Sequence, residues 1–159
     1  MRNKNQKKKK ESKYTIIDHT ADIGLKVIGK NFYDLVKNAL EGLYNIICDV
    51  KKVEPRRKYK VVVSGKESNT ASNDLFLVKI LNEFIYITAT KHLLFRKFMI
   101  DKSTSEMFSY DKKIVVWGYG EEYDYQRHGH IVEVKAATYH KVFIRKKNRY
   151  FYTKVFFDM

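Results

Sequence analysis

A chain of 159 residues with 44% hydrophobic content is long enough for one domain with a substantial core, and 32 Lys and Arg against 18 Asp and Glu give it a formal charge of +14. That balance favours phosphate-rich or acidic partners, nucleic acid among them. The single cysteine, Cys48, excludes a disulfide framework or thiolate zinc site and points to an intracellular protein, in the cytoplasm or nucleus. No apolar run reaches the roughly eighteen residues that span a bilayer, because Lys79, Glu83 and Lys91 interrupt the most hydrophobic segment, so no membrane partner is expected.

Residues 1–13 hold seven of the basic side chains, one acid and almost nothing apolar, so they are expected to be a disordered basic tail, leaving 14–159 as a single domain. The remainder still carries a charge of about +8. No apolar stretch follows the lysines, which excludes a secretory signal and leaves a solvated arm or a nuclear-import signal. Tyr14 to Ile17 and Leu25 to Ile28 read as short strands on either side of the corner His19-Thr20-Ala21-Asp22-Ile23-Gly24, where Gly24 is expected to take backbone angles other residues resist. Asn31 caps a predicted helix running to about Asp49, since Phe32, Leu35, Val36, Ala39, Leu40, Leu43, Ile46 and Ile47 recur at helical spacing.

Lys58 to Ser64 alternates Tyr59, Val61 and Val63 with polar or outward positions, as a strand does, and Gly65 to Asn73 is a polar loop. A second helix begins after Ser72 or Asn73, carries Leu75, Phe76, Leu81, Phe84 and Ile85 inward, and fades near Thr90; its Ile85-Tyr86-Ile87-Thr88 end is ambiguous. Beyond it, β-branched and aromatic runs predict strands at Leu93 to Ile100, Lys113 to Tyr119 and Ile131 to Thr138. Lys141 to Arg145 and Tyr150 to Phe157 read as a hairpin turned by Lys146 to Arg149. Two helices among sequentially neighbouring strands give an α+β fold, a mixed or antiparallel sheet packed by two main helices.

Val63-Ser64-Gly65-Lys66-Glu67-Ser68 is not a phosphate loop, because position 60 is Lys rather than Gly and Glu67 separates Lys66 from Ser68. His128 and His130 flank Gly129, yet no third ligand follows at zinc spacing, and a solvated loop is the preferred reading. Phe143, Arg145, Arg149, Tyr150 and Tyr152 interleave charge with aromatic rings as a nucleic-acid surface does, and a basic hairpin with an aromatic core face explains them equally well. Asp22 interrupts two apolar strands, and Asp158 closes a third with Met159 one residue beyond. Two acids at strand ends suggest a shared hard divalent cation; a loop carboxylate capping main-chain amides plus an exposed acid fits the sequence as well.

Four blocks occur together: His19-Thr20-Ala21-Asp22-Ile23-Gly24; Gly120-Glu121 with Asp124 and His128; Glu133-Val134-Lys135-Ala136-Ala137-Thr138-Tyr139-His140; and Asp158-Met159. In order and spacing they resemble the archease family, over nearly the whole chain after the tail, including a second helix with Leu81-Asn82-Glu83 in its middle. The resemblance implies an archease-like fold and a role as protein cofactor, not enzyme. Archeases serve the RtcB-family RNA ligase, which joins tRNA exon halves through a guanylylated histidine; they accelerate guanylylation and support repeated turnover. It further implies that Asp22 and Asp158, with terminal or main-chain oxygen from Met159, bind a divalent cation, and that His19, Glu121, His128, Lys135 and His140 support the site or the ligase contact. Archeases are commonly acidic or nearly neutral, so the basic body and tail are departures that leave room for direct tRNA contact. The competing class is an autonomous basic RNA-binding module; a metal-dependent hydrolase using Asp22 and His140 lacks any activated nucleophile in the sequence.

Overall fold

Two antiparallel sheets and two long helices grow out of these periodicities in a computed structural model that describes residues 12–18, 21–65, 72–107 and 111–159. Residues 1–11 of the expected tail, His19 and Thr20, and residues 66–71 of the Gly65 to Asn73 loop lie outside the described residues. In the first sheet β1 (Tyr14–Asp18) pairs with β2 (Ile23–Gly29), and β2 pairs with β8 (Tyr150–Asp158). The other side of β8 is shared, β7 (Phe143–Lys147) lying along its first half and the two-residue β6 (Ala136–Ala137) along its end. The second sheet has the order β3 (Arg57–Gly65), β5 (Lys112–Glu122), β4 (Leu93–Ile100).

Helix α1 (Phe32–Ile47) starts where expected: Asn31 Oδ1 accepts from the Asp34 N–H at 2.9 Å, while Asp34 Oδ2 accepts from the Lys30 N–H at 2.9 Å. Helix α2 (Asn73–Lys91) carries the ambiguous Ile85 to Thr88 stretch as helix and ends at His92, whose φ of 54° is left-handed. Its Phe76, Leu77, Val78, Ile80, Leu81, Phe84, Ile85 and Ile87 are all buried, because α1 and strands of both sheets pack around it. Tyr44, Phe84, Phe95 and Phe98 meet between the helices and the second sheet, with ring centroids 5.5 to 6.0 Å apart, and the Tyr44 hydroxyl shares a 2.7 Å hydrogen bond with Thr88 Oγ1. Buried Cys48 belongs to the same core, and burial pushes its thiol up to about 11.

Three expectations are corrected. Gly24 does not need an unusual backbone, since the one glycine with positive φ among the described residues is Gly129; its role is steric, because a Cβ there would meet the Phe156 ring at 3.0 Å. The expected strand Ile131 to Thr138 shrinks to β6, since the preceding segment bonds to two different partners: the Val132 N–H donates to Ile47 O and the Lys135 N–H to Asp158 O. The hairpin turn shrinks to Asn148-Arg149, with Lys147 paired to Tyr150 and Asn148 in the left-handed region at φ 57°. No helix among the described residues is long and apolar enough to cross a membrane.

Candidate functional site

The β2–β8 ladder decides where the two singled-out acids lie. Ile23 pairs with Phe157 as the last pair of the antiparallel ladder, so Asp22, just before β2, and Asp158, which ends β8, lie at the same end of it. Asp158 also pairs with Ala136, and its main-chain oxygen accepts from the Lys135 N–H at 2.8 Å, which brings Lys135 to the same tip. Asp22 and Met159 are half-buried, whereas Asp158 and Lys135 are exposed. His140 is exposed in the turn beyond β6, which runs away from Asp158, so it does not join them. His19 lies outside the described residues.

A residue that sequence reasoning left without a role holds the tip together. Asn82, in the middle of α2, donates through Nδ2 to Ala137 O at 3.0 Å and accepts from the Ala137 N–H at 2.7 Å. It thereby closes a two-residue strand that has too few ladder bonds of its own. Asn82→Ala is expected to cost about 1–3 kcal/mol, read as a shift of the urea midpoint, because it orphans a buried amide. An unchanged midpoint would show that β6 stands without this side chain.

Among the described residues, no group of three or more His, Cys, Asp or Glu side chains forms a metal cluster. Two carboxylates and nearby main-chain oxygens are nonetheless hard donors, and a Ca²⁺ or Mg²⁺ ion held by so few protein ligands keeps coordination positions for water or for a partner's phosphates. The donor chemistry therefore fits an open hard-cation site and not a closed cage for a soft metal.

Glu121 and His128 do not belong to a solvated loop, and His128 is only 2% exposed. Asp124 caps the single-turn helix α3 (Tyr125–His128), accepting from the Gln126 N–H, and this turn delivers Arg127 and His128 to Glu121 at the end of β5. The Asp124 main-chain N–H donates to His128 Nδ1 at 2.9 Å, so that nitrogen is unprotonated and Nε2–H donates to Glu121 Oε1 at 2.8 Å. Arg127 donates to both carboxylate oxygens at 2.8 and 2.9 Å, and the Glu54 N–H adds a fourth bond at 2.9 Å. Both imidazole nitrogens being engaged, His128 is closed to a metal. The spacing from Asp124 to His128 is the sequence signal for this knot; its partners Glu54, Arg56 and Arg127 carry no signal of their own.

The Arg127 guanidinium, aided by the other donors, holds the Glu121 carboxyl down at about 2. Since the folded value lies below the ordinary 4.5, this stabilisation is complete above about pH 4.5 and fades as pH falls through about 2. Arg127 is 39% exposed, so solvent screening reduces the effect to about 2 kcal/mol at neutral pH. Glu121→Gln is expected to lose that amount, with the gap to the parent protein closing toward pH 2 in denaturant titrations. A gap constant with pH would assign the loss to packing instead.

The model of the archease protein family matches residues 14–159, which include β1 at one end and the Asp22 and Asp158 tip. This chain belongs to the archease family. It is 27% identical over 141 residues to the archease of Sulfurisphaera tokodaii, covering 87% of this chain and 93% of that one. Against the archease of Pyrococcus abyssi it is 31% identical over 129 residues, with 81% and 85% covered. Among solved structures, the solution structure of a Methanobacterium thermoautotrophicum protein superposes with a TM-score of 0.76 at 23% identity, covering 92% of this chain and 99% of that one. The crystal structure of a Thermotoga maritima archease, described as a possible chaperone, gives 0.56 at 19% identity, with 90% and 94% covered. Those two likenesses carry the archease fold; the family match reaches the tip residues but not the basic segment ahead of Tyr14.

Proposed function

We propose that this archease activates an RtcB-family RNA ligase in tRNA splicing, promoting guanylylation and repeated joining of exon halves, and has no catalytic centre of its own. The observation that carries the reading is the β2–β8 register, which brings Asp22 and Asp158 to one tip in a chain of this family. Asp22, Asp158 and a main-chain oxygen of Met159 hold Ca²⁺ or Mg²⁺, which when bound supplies positive charge for nucleotide phosphates in the ligase pocket. The residues of the tip do the positioning: the β-ladder and Asn82 fix β6 against β8, so the carboxylates are preorganised before the ligase arrives. Lys135 stands beside them as a contact for the partner. An intracellular location, cytoplasmic or nuclear, accompanies this role, with the lysines of the basic tail as a second contact for tRNA.

The test is guanylylation and multiple-turnover joining of tRNA halves by a cognate ligase with and without this chain. Faster guanylylation and more than one turnover per ligase are expected. Absence of stimulation alongside tight, salt-sensitive RNA binding would replace this reading with that of an autonomous RNA-binding module.

A further inference from the structure

The outer face of the three-stranded sheet takes no part in the tip. Its rows follow from register, Lys58 opposite Tyr119 opposite Lys97, and Lys60 opposite Trp117 opposite Met99. The other face of the same strands is the core, with Val61, Val63, Phe95, Phe98, Ile114 and Val116 buried. A bulge between Phe95 and Lys97 lets both phenylalanines face inward while Lys97 and Met99 face out. The three lysines are exposed, and so are Val62 at 49% and Met99 at 48%. Lys58 Nζ lies 5.0 Å and Lys60 Nζ 6.0 Å from the centre of the Trp117 ring, and Lys97 Nζ lies 5.6 Å from that of Tyr119. The three strands carry two acids, both at the end of β5: Glu121, whose charge is already met by Arg127, and the exposed Glu122.

We propose that this face binds an unpaired RNA strand, with bases stacked on Trp117 and Tyr119 and phosphates held by Lys58, Lys60 and Lys97. Two aromatic rings on the middle strand, framed by ammonium groups from both neighbours, supply the two contacts an unpaired strand offers together: flat base surfaces and a charged backbone at their edge. A duplex hides its base faces. An acidic protein would engage the lysines but has no need of the rings, and an apolar partner would have to desolvate three ammonium groups. When a base takes the place of an ammonium over a ring, the ammonium moves to a phosphate, so neither group is left without a partner. The choice of RNA rests on the proposed ligase role; the stacking geometry does not.

Trp117 is the chain's one tryptophan, so its fluorescence reports contact at this face and not at the lysine-rich tail. Titration of the full chain with an oligouridylate of about twelve nucleotides is expected to quench Trp117 saturably, with log K falling against log salt at a slope of about −2 for three phosphate contacts. Tyr119→Ala is expected to weaken binding about tenfold or more, Tyr119→Phe to restore it, and Lys60→Glu to lower both affinity and salt slope. An RNA duplex is expected to leave the fluorescence unchanged. No quenching by the oligouridylate, equal quenching by polyglutamate, or a Lys60→Glu variant that titrates like the parent would overturn the proposal. The titration contains no ligase, so it stands or falls separately from ligase activation.

Discussion

Asp22→Ala is expected to abolish ligase stimulation, a fall on the order of a hundredfold, while leaving the melting midpoint within a degree or two of the parent. The residue precedes β2 and takes no part in its ladder, so removing its carboxylate leaves the sheet pairing intact. A shared ion makes a sharper demand. If Asp22 and Asp158 hold one cation, either single substitution already releases it, and Asp22→Ala with Asp158→Ala should be hardly worse than one alone. Guanylylation rates of both single variants and the double variant measure this coupling. Normal stimulation by a folded Asp22→Ala protein would sink the activator reading, and independent, multiplying losses would separate the acids from a common ion.

Gly120→Ala is expected to prevent stable folding, with a cost above about 3 kcal/mol. A Cβ at Gly120 would stand 1.8 Å from Leu94 O and 2.9 Å from Phe95 Cα, both main-chain atoms held by the β4–β5 pairing. The strands would have to part just before Glu121, where the buried carboxylate needs them closed. Gly24→Ala is the control, since its Cβ meets the movable Phe156 ring at 3.0 Å and should cost only about 1 kcal/mol. Circular dichroism melts of both variants check the contrast; similar stability of the two would mean that β4 and β5 can yield at this point.

Much of the architecture was legible because one face of each element is buried. Helix α1 follows its apolar period from a capping Asn31, and β3 buries Val61 and Val63 while leaving Val62 half exposed. The run from Ile131 to Val134 misled because β-branched residues signal burial as much as pairing; Val134 packs in the core without a strand around it. At the site, residue types were readable but geometry was not. That Asp22 and Asp158 lie at the same end of the β2–β8 ladder depends on its register, and no local pattern encodes a pairing between strands so distant in the chain. The solvated-loop reading of His128 fails because its ring is tied to Glu121 at the end of β5, which a main-chain amide from the distant Glu54 also holds, and no local pattern shows that contact.

Strand β8 touches β2, β6 and β7, yet it follows all of them in the chain and so leaves the ribosome after them. Until it emerges, β2 has an open edge and β6 and β7 have no neighbour to pair with, so the first sheet closes late and through contacts of long sequence separation. Asp158 arrives with that final segment. A chain halted before β8 therefore lacks Asp158 and leaves the first sheet open along β2.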